Sequence, residues 1–233
     1  MKIEIQREEI KSYTFDEFFD ETLLQAFIEI KTKQDSTLNF RCGCKSGICG
    51  SCAVVVNGVE RLACKTRVKD GDTIQPLRNA KIIRDLVVDL EYEEHKLKKA
   101  QGFLDKKSNK QVTTKDEKAI DTQSNCILCQ SCYSSCPIFE VNPEFLGPYA
   151  LTRTLRYVND IKEENIKTKI DAVQQNGVWD CTLCGNCTMV CPQMIDPKMD
   201  IMQLRNKSIQ FGYSDPNMMN FNSGGFGFDP NGF

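Results

Sequence analysis

Two runs of the form C-x2-C-x2-C-x3-C-P, ending at Cys136-Pro137 and Cys191-Pro192, constrain this chain more than any other feature. The spacing is that of bacterial two-cluster ferredoxins, in which the fourth cysteine of each run ligates the cluster of the other. The runs begin about 55 residues apart, so a chain that obeys this rule must fold them against one another. Cys126, Cys129 and Cys132 then share one [4Fe–4S] cluster with Cys191, and Cys181, Cys184 and Cys187 share a second with Cys136. Each thiol must lose its proton to bind iron, so the chain without clusters is expected to fold poorly. Pro137 and Pro192 close the two loops, since proline has no N–H to offer a continuing helix.

A third group reads C-x4-C-x2-C over Cys44, Cys49 and Cys52, with Cys64 farther on. That is the plant-type spacing for [2Fe–2S]. Gly47 and Gly50 suit such a loop because backbone can approach the sulfurs closely where no Cβ intervenes. C-x2-C also recurs in zinc ribbons, but the x4 spacing fits a zinc site less well. Cys42, the thirteenth cysteine, stands two residues before the first ligand and reads as a bystander.

Thirteen cysteines in a chain whose start, MKIEIQREEIK, lacks the apolar stretch of an export signal argue for reduced, metal-binding thiols in the cytoplasm rather than disulfides. No apolar run approaches the roughly 18 residues of a membrane span, so membrane contact is expected to be peripheral. A net charge of −2, with Lys and Arg dispersed, gives no case for nucleic acid. The Lys-rich stretch 96–110 reads as a solvated helix end and linker. His95, the only histidine, lies in EYEEHKLKK and reads as solvated rather than catalytic.

At 233 residues the chain has room for two small domains, an α+β architecture. Lys2–Gln6 alternates charge with isoleucine as a strand does, and residues 11–19 are its expected hairpin partner. Residues 22–31 set Leu23, Leu24, Phe27 and Ile30 at helical spacing, one face to pack on that sheet. Ala53–Val56 and residues 60–63 flank Asn57-Gly58, a strong type I′ hairpin signal, which puts Cys64 on or just after the returning strand. The reading divides the chain into a [2Fe–2S] domain over 1–92, a linker with partial helix over 93–122, a helical dicluster domain over 123–211 and a Gly/Asn/Phe-rich tail over 212–233. Short helices are expected over 147–159 and 165–175. The tail reads as disordered or docked on a partner.

The segments RCGCKSGICGSCAVVVNGVERLAC, IIRDLVVDL, CILCQSCYSSCPIFEVNPEFLGP and QNGVWDCTLCGNCTMVCP, in that order, resemble the iron–sulfur subunit of the succinate dehydrogenase and fumarate reductase family, most closely its fumarate reductase branch. The resemblance runs from near Met1 to about Arg205 and leaves the tail unmatched. It implies a plant-type β-grasp ferredoxin domain followed by an α-helical dicluster domain, docked on a flavoprotein with FAD and on a membrane anchor or a cysteine-rich equivalent. It also implies that the [2Fe–2S] site faces the flavin and the last cluster faces a quinone, on the cytoplasmic side of the membrane. Pro137, Thr182 and Arg205 match positions near the quinone in relatives. In most relatives the position of Cys184 is not cysteine and the site holds three irons; here a fourth thiolate predicts a second [4Fe–4S] in place of [3Fe–4S]. A cluster of four irons sits lower in potential in this family, which suits a low-potential partner such as a menaquinone or a thiol.

The reading is therefore an electron-transfer subunit, without acid, base or nucleophile for carbon chemistry, of a succinate:quinone or quinol:fumarate oxidoreductase. Two other classes compete with it. One is the electron-input subunit of a thiol or heterodisulfide-type reductase, favoured by a neighbouring gene for an anchor with cysteine-rich repeats. The other is a free ferredoxin-like carrier, which would purify as a stable, redox-active monomer.

Overall fold

A computed structural model describes residues 1–16 and 20–216. The chain opens with β1 (Lys2–Gln6) and β2 (Ile10–Thr14), an antiparallel hairpin in which Ile3 faces Tyr13. Ile3 and Ile5 are fully buried while their neighbours face solvent, as the alternation requires. Part of the expected second strand, 17–19, lies outside the described residues.

Next comes α1 (Leu23–Glu29), capped by the Thr22 hydroxyl, which accepts from the Gln25 amide. Its last turn widens into a π-helical stretch, Ile30–Gln34. Leu23, Leu24, Phe27 and Ile30 are all buried, so the apolar stripe read from the sequence is the face that packs. β3 (Ala53–Val56) and β4 (Val59–Leu62) pair through Asn57 at φ 50° and Gly58 at φ 81°, the two positive angles of a type I′ turn. β5 (Thr73–Gln75) runs parallel to β1 and antiparallel to β3, giving the sheet order β2-β1-β5-β3-β4. A small ribbon of β6 (Ile82–Arg84) and β7 (Val87–Val88) completes this half.

The second half is helical. Its elements are α2 (Glu91–Lys99), α3 (Thr114–Ser124), α4 (Ser131–Ser134), a 3-10 turn at Pro137–Glu140, α5 (Pro148–Val158), α6 (Ile166–Ala172), α7 (Asn186–Met189) and α8 (Pro197–Gln210). Proline stands in the first turn of α5 and of α8, where its missing N–H costs nothing. A core of Phe145, Tyr149, Leu151, Leu155, Ile201 and Leu204 holds α5 against α8.

The stretch between the halves carries the end of α2 and most of α3 with a non-helical segment between them. α3 begins with a reciprocal capping box between Thr113 and Asp116. The 96–110 stretch is not simply solvated. Lys96 is buried, its ammonium donating to the carbonyls of Pro143 and Phe145 at 3.0 and 2.7 Å. These carbonyls replace the water a lysine normally keeps.

A second buried lysine closes the loop after α2. Lys169 of α6 meets Glu163 at 3.0 Å, both side chains fully buried, and donates to the Gln101 and Phe103 carbonyls. The Glu163 carboxylate also accepts from the Asp105, Lys106 and Asn165 amides. Lys169→Met would leave that carboxylate buried without its cation. The expected cost is about 3 kcal/mol, read as a lower thermal midpoint of the cluster-loaded protein; an unchanged midpoint would refute the pair's structural role.

Candidate metal centres

The loop that follows the π-helical turn carries Cys44, Cys49 and Cys52, and β4 delivers Cys64 two residues past its end. Cys44 and Cys49 are exposed, whereas Cys52 and Cys64 are buried beneath the sheet edge. The amides of Ser46, Ile48 and Cys49 point at the Cys44 sulfur from 3.3 to 3.4 Å. Hydrogen bonds from the Ser46 hydroxyl and these amides draw the Cys44 thiol down to about 5. This is a nest of backbone donors around an anionic sulfur. Lys45, Gly47 and Gly50 have positive φ, which wraps the loop. Burial pushes Cys52 up to about 12.

The two later runs have the same backbone. In the first, Leu128 and Gln130 on either side of Cys129 adopt φ 53° and 63°; in the second, Leu183 and Gly185 on either side of Cys184 adopt 58° and 87°. Each pair feeds a one-turn helix, α4 or α7, that carries the third cysteine of its run, Cys132 or Cys187. In the second run the Leu183 amide lies 3.4 Å from the Cys181 sulfur, and in the first the Leu128 amide acts on Cys126 likewise. The spacing repeat is thus a repeat of conformation.

α4 packs on α7, which brings the fourth cysteine of each run to the other run's first three. Cys191 acts electrostatically on Cys126, Cys129 and Cys132, and these four line one cavity with Ile127, Leu128, Tyr149 and Ile195. Cys136 is acted on by Cys181 and Cys184, and Cys187 by Cys181, Cys136 and Cys184. Burial pushes Cys126 and Cys136 up to about 11 and Cys187 up to about 12, so these thiols ionise only when a cation takes the proton's place. Among the described residues no three histidine, cysteine or carboxylate groups converge as the ligands of one metal ion do. The ligands of a cluster bind different irons and need not converge as one ion's ligands do. The thiol sets, the amide nest and the cysteine-lined cavity fit iron–sulfur clusters.

The cluster loops of the two halves touch. A Cβ built on Gly50 would lie 2.7 Å from Cys129 Cβ, 2.8 Å from its Cα and 3.0 Å from the Ile127 carbonyl. Around this contact the halves are sewn together by polar groups. Buried Glu60 of β4 accepts from Ser134 of α4 at 2.7 Å and pairs with Arg78 at 3.1 Å. The Asn79 amide donates to the carbonyls of Tyr133, Ser134 and Cys136 at 3.0, 3.1 and 3.1 Å, closing the end of α4.

Pro137 and Thr182 are exposed, each next to a cysteine of the Cys136, Cys181, Cys184 and Cys187 group, and Cys184 is itself exposed. Arg205 of α8 reaches the same region. Its guanidinium donates to the carbonyls of Val178, Trp179 and Cys181 at 2.7, 3.4 and 2.6 Å, so it braces the backbone leading into the second run. His95 and Cys42 are exposed. Glu60 and Asn79 are not legible as site residues, because their contacts with the helical half are to partners 54 to 74 positions away. The tail beyond 216 lies outside the described residues, and among those described no helix is long and apolar enough to cross a membrane.

Two family models match the chain: a 2Fe-2S iron-sulfur cluster binding domain over residues 2–94 and a 4Fe-4S dicluster domain over residues 122–195. The fumarate reductase iron-sulfur subunit of Escherichia coli O6:H1 is 38% identical over 193 residues, covering 78% of this chain and 79% of the relative. The 8-methylmenaquinol:fumarate reductase iron-sulfur subunit of Wolinella succinogenes is 35% identical over 221 residues, covering 88% and 69%. A chain of the Mycobacterium smegmatis Sdh1 complex in the apo form superposes with a TM-score of 0.81 at 24% identity, covering 92% of this chain and 98% of that one, a likeness of fold.

Proposed function

The chain belongs to the family of iron–sulfur subunits of succinate dehydrogenase and fumarate reductase, and from that premise we propose that it is the non-catalytic electron-transfer subunit of a quinol:fumarate or succinate:quinone oxidoreductase. It serves a flavoprotein that carries FAD, and a membrane anchor or cysteine-rich equivalent where a quinone reacts. It lies at the cytoplasmic face of the membrane through those partners. When bound, one [2Fe–2S] and two [4Fe–4S] clusters supply one-electron carriers, which link a two-electron flavin to a two-electron quinone.

The chain's own residues do the holding, spacing and shielding. Cys44, Cys49, Cys52 and Cys64 hold the first group, with the amides of Ser46, Ile48 and Cys49 stabilising the Cys44 thiolate. Cys126, Cys129, Cys132 and Cys191 hold the second, and Ile127, Leu128, Tyr149 and Ile195 keep water from it. Cys136, Cys181, Cys184 and Cys187 hold the third. Gly50 lets the first loop lie on Cys129, which keeps the transfer distance short. Pro137, Thr182 and Arg205 form the quinone side, Arg205 by bracing the carbonyls before and at Cys181.

The observation that carries this reading is the cavity that Cys191 of the second run lines together with Cys126, Cys129 and Cys132 of the first, where α4 packs on α7. Purifying the native complex and assaying fumarate reduction and succinate oxidation with quinones of different potential tests it. A redox-active monomer that never co-purifies with a flavoprotein would overturn it.

The matching backbone of the two runs supports Cys184 as the fourth ligand of the third site, since it occupies the place Cys129 has in the first run. Cys184→Ala is expected to convert that site from four irons to three. A three-iron EPR signal then rises from near zero in undamaged wild type to about one spin per chain. A full-intensity signal already present in wild type and unchanged by the substitution would sink the assignment.

A further inference from the structure

Asp200, in the first turn of α8, is 2% exposed, and both its oxygens accept hydrogen bonds. Oδ1 accepts from Gln123 Nε2 and Oδ2 from the Thr152 hydroxyl, each at 2.8 Å. Both donors are neutral, and among the described residues no ammonium or guanidinium pairs with it. A buried carboxylate without a cation is costly, and an apolar side chain would fill the same space without that cost.

The cost falls beside the second cysteine set. Thr152 lines the cavity formed by Cys126, Cys129, Cys132 and Cys191, and so does Pro197, one turn before Asp200 on α8. The amino end of α8 therefore faces the cavity, its Met199 amide taken by the Asp196 carboxylate that caps the helix, and the aligned peptide dipoles of the helix place partial positive charge there. That charge favours an electron arriving there. A carboxylate in the same turn opposes it.

Resting on the assignment of those four cysteines to a [4Fe–4S] cluster, we propose that the Asp200 carboxylate, held by Gln123 and Thr152, sets the electron affinity of that site and keeps it low. It is a positioning residue for charge and touches no reacting atom. Burial pushes its carboxyl above the usual range, the Gln123 and Thr152 hydrogen bonds oppose this, and Asp196 adds to it. Among the described residues no cation of the neighbouring elements pairs with it: on α3, which supplies Gln123, Lys115, Glu117, Lys118 and Asp121 are exposed and Asp116 caps the helix with Thr113, and on α8 Arg205 donates to backbone carbonyls. On α5, Arg156 binds Asp160 and Arg153 acts on Cys126; on α6, Lys169 is paired with Glu163 and Lys167 with Asp171; α4 and α7 carry no charged residue.

The test is EPR-monitored redox titration of the cluster-loaded complex between pH 6 and 9, following the signal that Cys191→Ser removes. In Asp200→Asn the ratio of reduced to oxidised site at a fixed potential should rise about tenfold at pH 9, or 59 mV for one electron. The difference is lost on the acid side, where the wild-type carboxyl takes up its proton. Asp200→Glu should stay near wild type, and the other two signals should not move. Gln123→Met, which takes away one donor and favours the neutral carboxyl, should shift the same site in the same direction and serves if the asparagine variant misfolds. An unchanged potential at pH 9, or equal shifts in all three signals, overturns the proposal. A wild-type complex that lacks the signal overturns the ligand assignment beneath it.

Discussion

Cys191→Ser should abolish one of the two four-iron signals and lower fumarate reduction by more than about 100-fold, beyond the loss that removing a supporting residue causes. Cys191 is the member that the second run contributes to the cavity of the first. Serine is shorter and offers a hard oxygen where iron in a cluster calls for a soft thiolate. The substitution also removes a tie between stretches of chain about 55 residues apart, so protease sensitivity of the helical half should rise as iron content falls. The decisive comparison is between paired variants. With crossed ligation, Cys136→Ser removes the same signal as Cys181→Ser and leaves the one that Cys126→Ser removes. If Cys136→Ser instead behaves like Cys126→Ser, each run serves its own cluster and the crossing is wrong.

Gly50→Ala is the second large effect, although it alters no ligand. The new Cβ would stand under 3.0 Å from two atoms of Cys129, one of them backbone, and backbone cannot swing aside as a side chain can. Gly50 also has φ 71°, a conformation that costs an L-residue about 1–2 kcal/mol. Overpacking adds about 1–3 kcal/mol, so the expected destabilisation is about 2–5 kcal/mol. The structure relieves the clash by parting the two cluster loops. Freeze-quench EPR should show the first signal reduced promptly and the second slowly, with iron content near normal. Gly58 and Gly71 provide controls, with φ 81° and 79° and no atom within 4 Å of an added Cβ. Their alanine variants should pay only the conformational strain and leave electron transfer intact. Equal kinetics in all three variants would show that the Gly50 contact does not govern transfer.

What the sequence made legible were features with a local cause. Asn57-Gly58 forms its hairpin because two adjacent residues tolerate positive φ, and the stripe Leu23, Leu24, Phe27 and Ile30 packs because helical periodicity put it on one face. The three cysteine groups stand out in the sequence because ligand spacing is itself a local constraint, and their assignment to clusters is the proposal made above. α3 was missed although Thr113 and Asp116 hold the spacing of a capping box, since TKDEKAIDTQS lacks the apolar stripe that marks most helices. Lys96 lies in a stretch that reads as solvated because lysine usually is, and no pattern around Lys169 singles it out. Their burial depends on carbonyls of Pro143, Phe145, Gln101 and Phe103, which no pattern around a lysine encodes. Gly50 was expected to serve its own loop, and it also admits Cys129 of the other half, a role visible only in three dimensions.

The bonds from Asn79 to Tyr133, Ser134 and Cys136 carry a consequence for biosynthesis. The carbonyls that end the first cysteine helix are satisfied by an amide that leaves the ribosome more than 50 residues earlier, and domains generally fold in the order of synthesis. The sheet half therefore acts as a template that is complete before the helical half needs it. Iron delivered to the nascent chain meets the plant-type loop first. A maturation factor for the later clusters would have to work on a surface already closed on one side, and a chain stalled before that template forms offers loose thiols to adventitious metal instead.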